Sequence, residues 1–228
     1  AVDPDFAWPG FVIAVPAFLA ISGFLVLQSY AESGSWRVFI RKRALRVLPA
    51  LCVALLLCLV LLDVGTTLNS FVLWLTGGLY VPPGDRNVPL WSLAWEELAY
   101  GLLALLWMFG AYRRPFWIWL LFALSILIVW AGSGLGAQSR IILFLAPAFL
   151  IGNLMFIYRE KLLDVSPYVP WLVFYVMIQW RHVPDAALFG GAMLVCFQAF
   201  AVVWAGMAGL KLIPWKFPDV SYGIYVYH

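Results

Sequence analysis

Glu96 and Glu97 stand in an otherwise apolar run near 91–110. A carboxylate in such a setting is costly unless it is paired, solvated or protonated. Ser92, Glu96 and Tyr100 are four residues apart, so a helix places all three on one face, and Glu97 turns roughly 100° away. Two readings follow. Glu96 can act inside a cavity as an acid, a base or a ligand for a hydroxyl. Alternatively, Ser92 caps a helix entrance and the acids sit near water in its first turns. A second group is basic: Arg37, Arg41, Lys42, Arg43 and Arg46, followed by Pro49. Arg43 and Arg46, three apart, share a face if the segment is helical. Arg41, Arg43 and Arg46 are candidates for a phosphate clamp, because guanidinium groups bind phosphates through paired hydrogen bonds. The same stretch also suits a topology anchor beside anionic lipid. His228 closes the chain behind Asp219, Ser221 and Tyr222, while His182 falls in a short loop. Ser22-Gly23-Phe24 lies in an apolar run, where a small residue favours close helix packing.

These residues need elements that hold them away from water, and composition says what those are. Of 228 residues, 65% are hydrophobic and 11% charged. A soluble domain carries about 25% charged residues, so this chain has too few to coat a water-facing surface. Residues 6–31, 115–139 and 186–210 contain no Asp, Glu, Lys or Arg, and neither do 47–62, 64–84, 98–112, 141–158 and 165–180. Roughly 20 helical residues cross the hydrocarbon core of a bilayer. The pattern predicts an all-α, polytopic transmembrane bundle with spans near 10–29, 46–63, 91–110, 116–133, 140–158, 167–181 and 186–208. Another begins near 219, giving about seven complete spans and a truncated last one. Residues 64–90 read as a connection whose hydrophobic centre, 71–75, is too short for a span and suits a re-entrant or interfacial piece.

Charge supports a direction. With 37–46 in the cytoplasm, Arg113, Arg114, Arg159, Lys161, Lys211 and Lys216 also fall there, and Asp3, Asp5, Asp63, Asp85 and Asp185 fall outside. Arg86, Arg140 and Arg181 are the exceptions. Tryptophans and tyrosines near span ends, among them Trp8, Tyr30, Trp36, Trp91, Trp117, Tyr158 and Tyr168, read as interfacial anchors. The net charge of +3 does not suggest a nucleic-acid partner. Cys52, Cys58 and Cys196 read as small packing residues, and no His/Cys/Asp spacing suggests a metal.

Four stretches together resemble the acyltransferase-3 family of integral membrane acyltransferases, which includes bacterial enzymes that O-acetylate cell-surface glycans. They are VPAFLAISGFLV (15–26), FIRKRALRVLPAL (39–51), VPLWSLAWEELAYG (88–101) and DVSYGIYVYH (219–228). The resemblance spans nearly the whole chain and implies a single transmembrane domain over 1–228. It implies transfer of an acyl group, commonly acetyl, from cytoplasmic acyl-CoA, with acetyl-CoA foremost, to a hydroxyl of a carbohydrate or glycolipid acceptor. Arg43 and Arg46 look like the family's basic pair before the proline. Trp91, Ser92 and Glu96 look like its tryptophan-serine-glutamate signature. Ser221, Tyr222 and His228 look like its closing signature, and Ser22, Gly23 and Phe24 match its Ser-Gly-Phe signature. Family members also carry an earlier helix with an arginine and a histidine expected to serve as base. The first span here aligns with the family's second, so that helix and the C-terminal end are expected to be missing from this chain. The implied setting is the bacterial inner membrane, with lipids as partners. The competing expectations are a small-molecule transporter using the same buried charges and a non-catalytic membrane scaffold.

Overall fold

Runs of Leu, Ala, Val and Phe without interior polar breaks satisfy their backbone groups most simply as helices. A computed structural model of the chain describes residues 14–61, 63–77, 79–80, 90–132, 143–164, 166, 168–169, 172, 175–176 and 189–209. The described residues are helical and contain no strand. The elements are α1 (Ala14–Ser33), α2 (Trp36–Leu61), α3 (Val64–Thr76), α4 (Leu90–Met108), a 3-10 turn (Ala111–Arg113), α5 (Pro115–Ala131), α6 (Leu145–Ile157), the short α7 (Arg159–Leu163) and α8 (Phe189–Gly209). By length and composition, Val15–Ser33 and Trp36–Leu61 suffice to cross a membrane; Pro115–Ala131, Leu145–Ile157 and Val195–Met207 are shorter apolar helices. The expected spans at 167–181 and from 219 onward lie largely or wholly outside the described residues.

Two expectations about the elements change. The basic stretch does not precede the second helix but forms its first turns, since α2 starts at Trp36. Arg, Lys, Leu and Ala are strong helix formers, and they carry the helix through Pro49, whose missing N–H leaves the Leu45 carbonyl without its helical partner. The 64–90 connection contains a true helix of 13 residues, α3. Asp63 caps it: its side chain accepts from the Thr66 amide at 2.7 Å and the Thr66 hydroxyl at 2.9 Å. Thirteen residues span only about 20 Å, so α3 falls short of a full crossing.

The chain divides into two compact units. The first comprises Ala1–Gln28 and Leu106–Pro214, and α6 is its centre. Ten of its thirteen residues are buried, which is the mark of a helix enclosed on every side. One face, with Ala148, Ile151 and Met155, packs with Ala20 of α1 and with Val195, Ala199, Val203 and Trp204 of α8. Another, with Leu150 and Leu154, packs against Ala111 and Ile118. Cys196 borders the first of these clusters.

Glycine permits the closest approach in this unit. A Cβ on Gly152 would lie 2.0 Å from the Ala20 carbonyl oxygen, and one on Gly23 would lie 2.3 Å from that of Phe149. The backbones of α1 and α6 therefore touch, as small residues allow, and Gly23 of the Ser-Gly-Phe run serves packing. Beside this crossing Asn153 is fully buried. It donates to the Phe149 carbonyl at 2.8 Å and accepts from the Tyr112 hydroxyl at 2.7 Å. Burial pushes the Tyr112 phenol up from its ordinary value, so it remains a neutral donor.

The second unit comprises Ser29–Leu105 and Trp215–His228. Here α2 packs on α3. The inward stripe of α2 runs Phe39, Arg43, Val47, Leu51, Ala54 and Cys58, at spacings of three and four. That of α4 runs Ser92, Glu96, Tyr100 and Leu103. Elsewhere α2 turns Leu45, Leu48, Leu56, Val60 and Leu61 outward. Cys52 is also exposed, so the packing reading fits Cys58 and Cys196 but not Cys52.

Replacing Gly152 with Ala should lower stability by about 3 kcal/mol, the upper part of the range for overpacking, because only backbone surrounds the new methyl. Gly206→Ala, in a helix with open space around it, should instead be neutral or stabilising by about 0.5–1 kcal/mol. Thermal unfolding of the two variants in detergent checks both; equal behaviour would contradict the close crossing.

Candidate active site

The basic stretch of α2 presents its charges in two directions. Arg37, Arg41 and Lys42 are exposed, and the Lys42 ammonium donates to the Ser33 hydroxyl at 3.2 Å. Arg43 is partly buried and falls on the inward stripe, one turn after Phe39. Arg41, two residues earlier, turns about 200° from it. Arg46 lies on α2, but its side chain is outside the described residues. Thus the anchor reading suits Arg37, Arg41 and Lys42, and Arg43 has a different environment.

That environment is aromatic. The Arg43 guanidinium carbon lies 5.7 Å from the Phe39 ring centre and 5.6 Å from that of Tyr100. Phe39 meets Tyr100 edge-on at 6.4 Å and packs at 4.8 Å against Tyr30, which comes from the last turns of α1. Phe39 is fully buried, and Tyr30 and Tyr100 nearly so. A cation over a ring face is attracted by its quadrupole, by about 2 kcal/mol when desolvated.

The Tyr100 hydroxyl donates to Oε1 of Glu96, one turn earlier on α4. Glu96 is 3% exposed and Ser92, a further turn back, 1%. The reading of Glu96 as an acid near water at a helix entrance therefore gives way to the buried one. Ser92 lies inside the helix, two residues after its start at Leu90, and not at a cap preceding it. A guanidinium, a phenol and a carboxyl group are thus gathered on two helices among aromatic and apolar side chains. Such a group can hold an anion at one end, and at the other accept a proton from, or orient, a hydroxyl.

A model of an acyltransferase domain family, acyltransferase-3, matches residues 2–228. The chain belongs to the acyltransferase-3 family. It is therefore placed among acyltransferases, in a family that is membrane-associated. No curated protein and no solved structure matches it.

Of the acyltransferase-3 positions singled out in the sequence, the fold brings Arg43, Ser92 and Glu96 into one unit, with Tyr100 linking two of them. His228, Ser221 and Tyr222 lie outside the described residues, as does the Trp91 side chain. Sequence reasoning missed Phe39 and the role of Tyr30, which is buried in this cluster and is not an interfacial anchor. The signal for Phe39 was its four-residue offset from Arg43. Tyr30 carried none, since the turn at Gly34 between α1 and α2 decides its neighbour. A separate open cleft of about 480 Å³ is lined by Trp107, Met108, Gly110, Tyr112 and Arg113, and by none of the candidate residues.

Tyr100→Phe keeps the ring over Arg43 and removes the donor to Glu96. It should destabilise the protein by about 0.5–1.5 kcal/mol, the usual net worth of one hydrogen bond, and lower activity at least tenfold. Thermal unfolding and turnover of the variant check this; wild-type values for both would remove the hydroxyl from the site.

Proposed function

We propose that this acyltransferase moves an acetyl or similar acyl group from cytoplasmic acyl-CoA to a hydroxyl of a carbohydrate or glycolipid, within a polytopic helix bundle in the bacterial inner membrane. The single observation that carries the reading is the Arg43–Tyr100–Glu96 cluster on α2 and α4 of an acyltransferase-3 chain.

The membrane setting draws support from surfaces that water would not tolerate. On α5 only Ile118, Ser125 and Val129 are buried, while Phe116, Trp117, Trp119, Leu124, Leu127, Ile128 and Trp130 face outward. Exposed apolar area of that extent needs lipid or a partner. The span count of about seven, within one domain, extends this reading to the whole chain. With Trp36 at the cytoplasmic end of α2 and Met108 at that of α4, Arg43 lies about 10 Å and Tyr100 about 12 Å from their helix ends. Their contact at matching depth agrees with this orientation. Glu96 then lies about 18 Å in, near mid-membrane.

In this scheme Arg43 and Arg46 hold the donor's phosphate end, and Arg41 on the exposed face adds positive charge to the approach. The planar guanidinium fork suits a phosphate, and the aromatic packing of Arg43 fixes its direction. Glu96 orients the acceptor hydroxyl or the base that takes its proton, the role assigned to the family's histidine; Ser92 lies one turn further along the same face. His228, in the closing signature, is a further acid–base group. The acceptor oxygen bonds to the thioester carbonyl carbon, the carbon–sulfur bond breaks, and coenzyme A leaves as its thiol. The route needs no metal.

Native membranes holding the full protein, given labelled acetyl-CoA with and without glycan acceptors, should yield labelled glycan. Glu96→Gln should lower that transfer about a hundredfold or more, in the range for a positioned acid–base group, with unchanged protein in the membrane. Solute flux without donor turnover would instead favour a transporter, neither activity would favour a scaffold, and near-normal turnover in the variant would remove Glu96 from the mechanism.

A further inference from the structure

Helix α3 ends in an unusual attachment. Gly77 follows its last turn with φ of 59°, the left-handed conformation that favours glycine, and its N–H returns to the Leu73 and Trp74 carbonyls. The Gly77 carbonyl oxygen accepts the indole N–H of Trp95 at 2.7 Å, from a helix eighteen positions on. A Cβ at position 77 would lie 2.8 Å from that indole nitrogen and 3.2 Å from the adjoining ring carbon. Glycine is therefore required twice, for the turn and for the approach of the ring. The acceptor sits at the negative end of the α3 dipole, which strengthens the bond.

Trp95 immediately precedes Glu96. On α4 it projects about 100° from the line of Ser92, Glu96 and Tyr100. A rigid strut there, fastened to a helix that itself packs on α2, restrains the rotation of α4 about its axis. Any such rotation would carry the Tyr100 ring off Arg43 and turn Glu96 with it. We propose that Trp95 is a positioning residue for acyl transfer. Its hydrogen bond to Gly77 sets the rotational register of α4 and so aims the Glu96–Tyr100 pair. The role of α3 is then to act as a fixed abutment for the helix that carries the acid. This inference rests on the acyl-transfer reading above.

The test uses full-length protein in native membranes, with Trp95→Phe, Gly77→Ala and the double variant. Trp95→Phe retains an aromatic ring and loses only the donor, so it addresses the bond even if Gly77→Ala fails to fold. It should lower kcat about tenfold to a hundredfold, as small misplacements of catalytic groups do. The donor KM should stay within about twofold, and the protein should remain folded, because a register change acts after donor binding. Where both single variants fold, the double should be no slower than the slower single, since both break one contact. Wild-type kcat in Trp95→Phe, a raised donor KM with unchanged kcat, or effects that multiply in the double variant would overturn the proposal and leave acyl transfer standing. Absence of transfer by the wild-type protein would sink the functional reading and the positioning role together.

Discussion

Withdrawing an ion from water costs several kcal/mol even after the protein relaxes around it, and in this chain that cost has to be met at Arg43 and Glu96. Their surroundings show how. The guanidinium is placed over two ring faces, and the carboxylate receives a phenolic hydrogen. Tyr100 serves both at once, through its face and through its hydroxyl. Phe39 and Tyr30, both buried, pack beside this arrangement, and the described helices of the second unit hold these groups in register.

The helices supply that register by different means. In α2 the spacing of inward residues admits one basic side chain among Phe39, Val47 and Leu51 and turns Arg37, Arg41 and Lys42 out. In α4 the four-residue repeat of Ser92, Glu96 and Tyr100 lines up the polar groups. The short α3, capped by Asp63 at one end and Gly77 at the other, completes the support. The first unit has its own close fit, in which Gly23 and Gly152 let two backbones meet and Asn153 satisfies a neighbouring carbonyl. Among the described residues, Ser92, Glu96 and Asn153 are buried, while many large apolar side chains of α2, α4 and α5 are exposed.

Much of this was legible in the residues. Helical periodicity placed Ser92, Glu96 and Tyr100 on one face, and the length of the charge-free runs fixed the helical class. The family resemblance drew attention to Arg43, Glu96 and Gly23. What escaped was what depends on tertiary contact. No local pattern distinguishes Tyr30 as a buried ring from Tyr30 as an interfacial one, because its partner Phe39 is reached only across a turn. The helical state of 36–45 is left open by the sequence, because clustered charge also marks a membrane boundary, although those residue types propagate a helix well. The Trp95–Gly77 contact joins positions whose partnership depends on how α3 is folded back.

The most direct measurement of the central claim is a double-mutant cycle on stability with Arg43→Gln and Glu96→Gln, read by thermal unfolding in one lipid or detergent. If the two groups are coupled through Tyr100, the loss in the double variant should fall at least about 1 kcal/mol short of the sum of the two single losses. Losses that simply add would mean that Arg43 and Glu96 are energetically independent and that the cluster is an accident of packing.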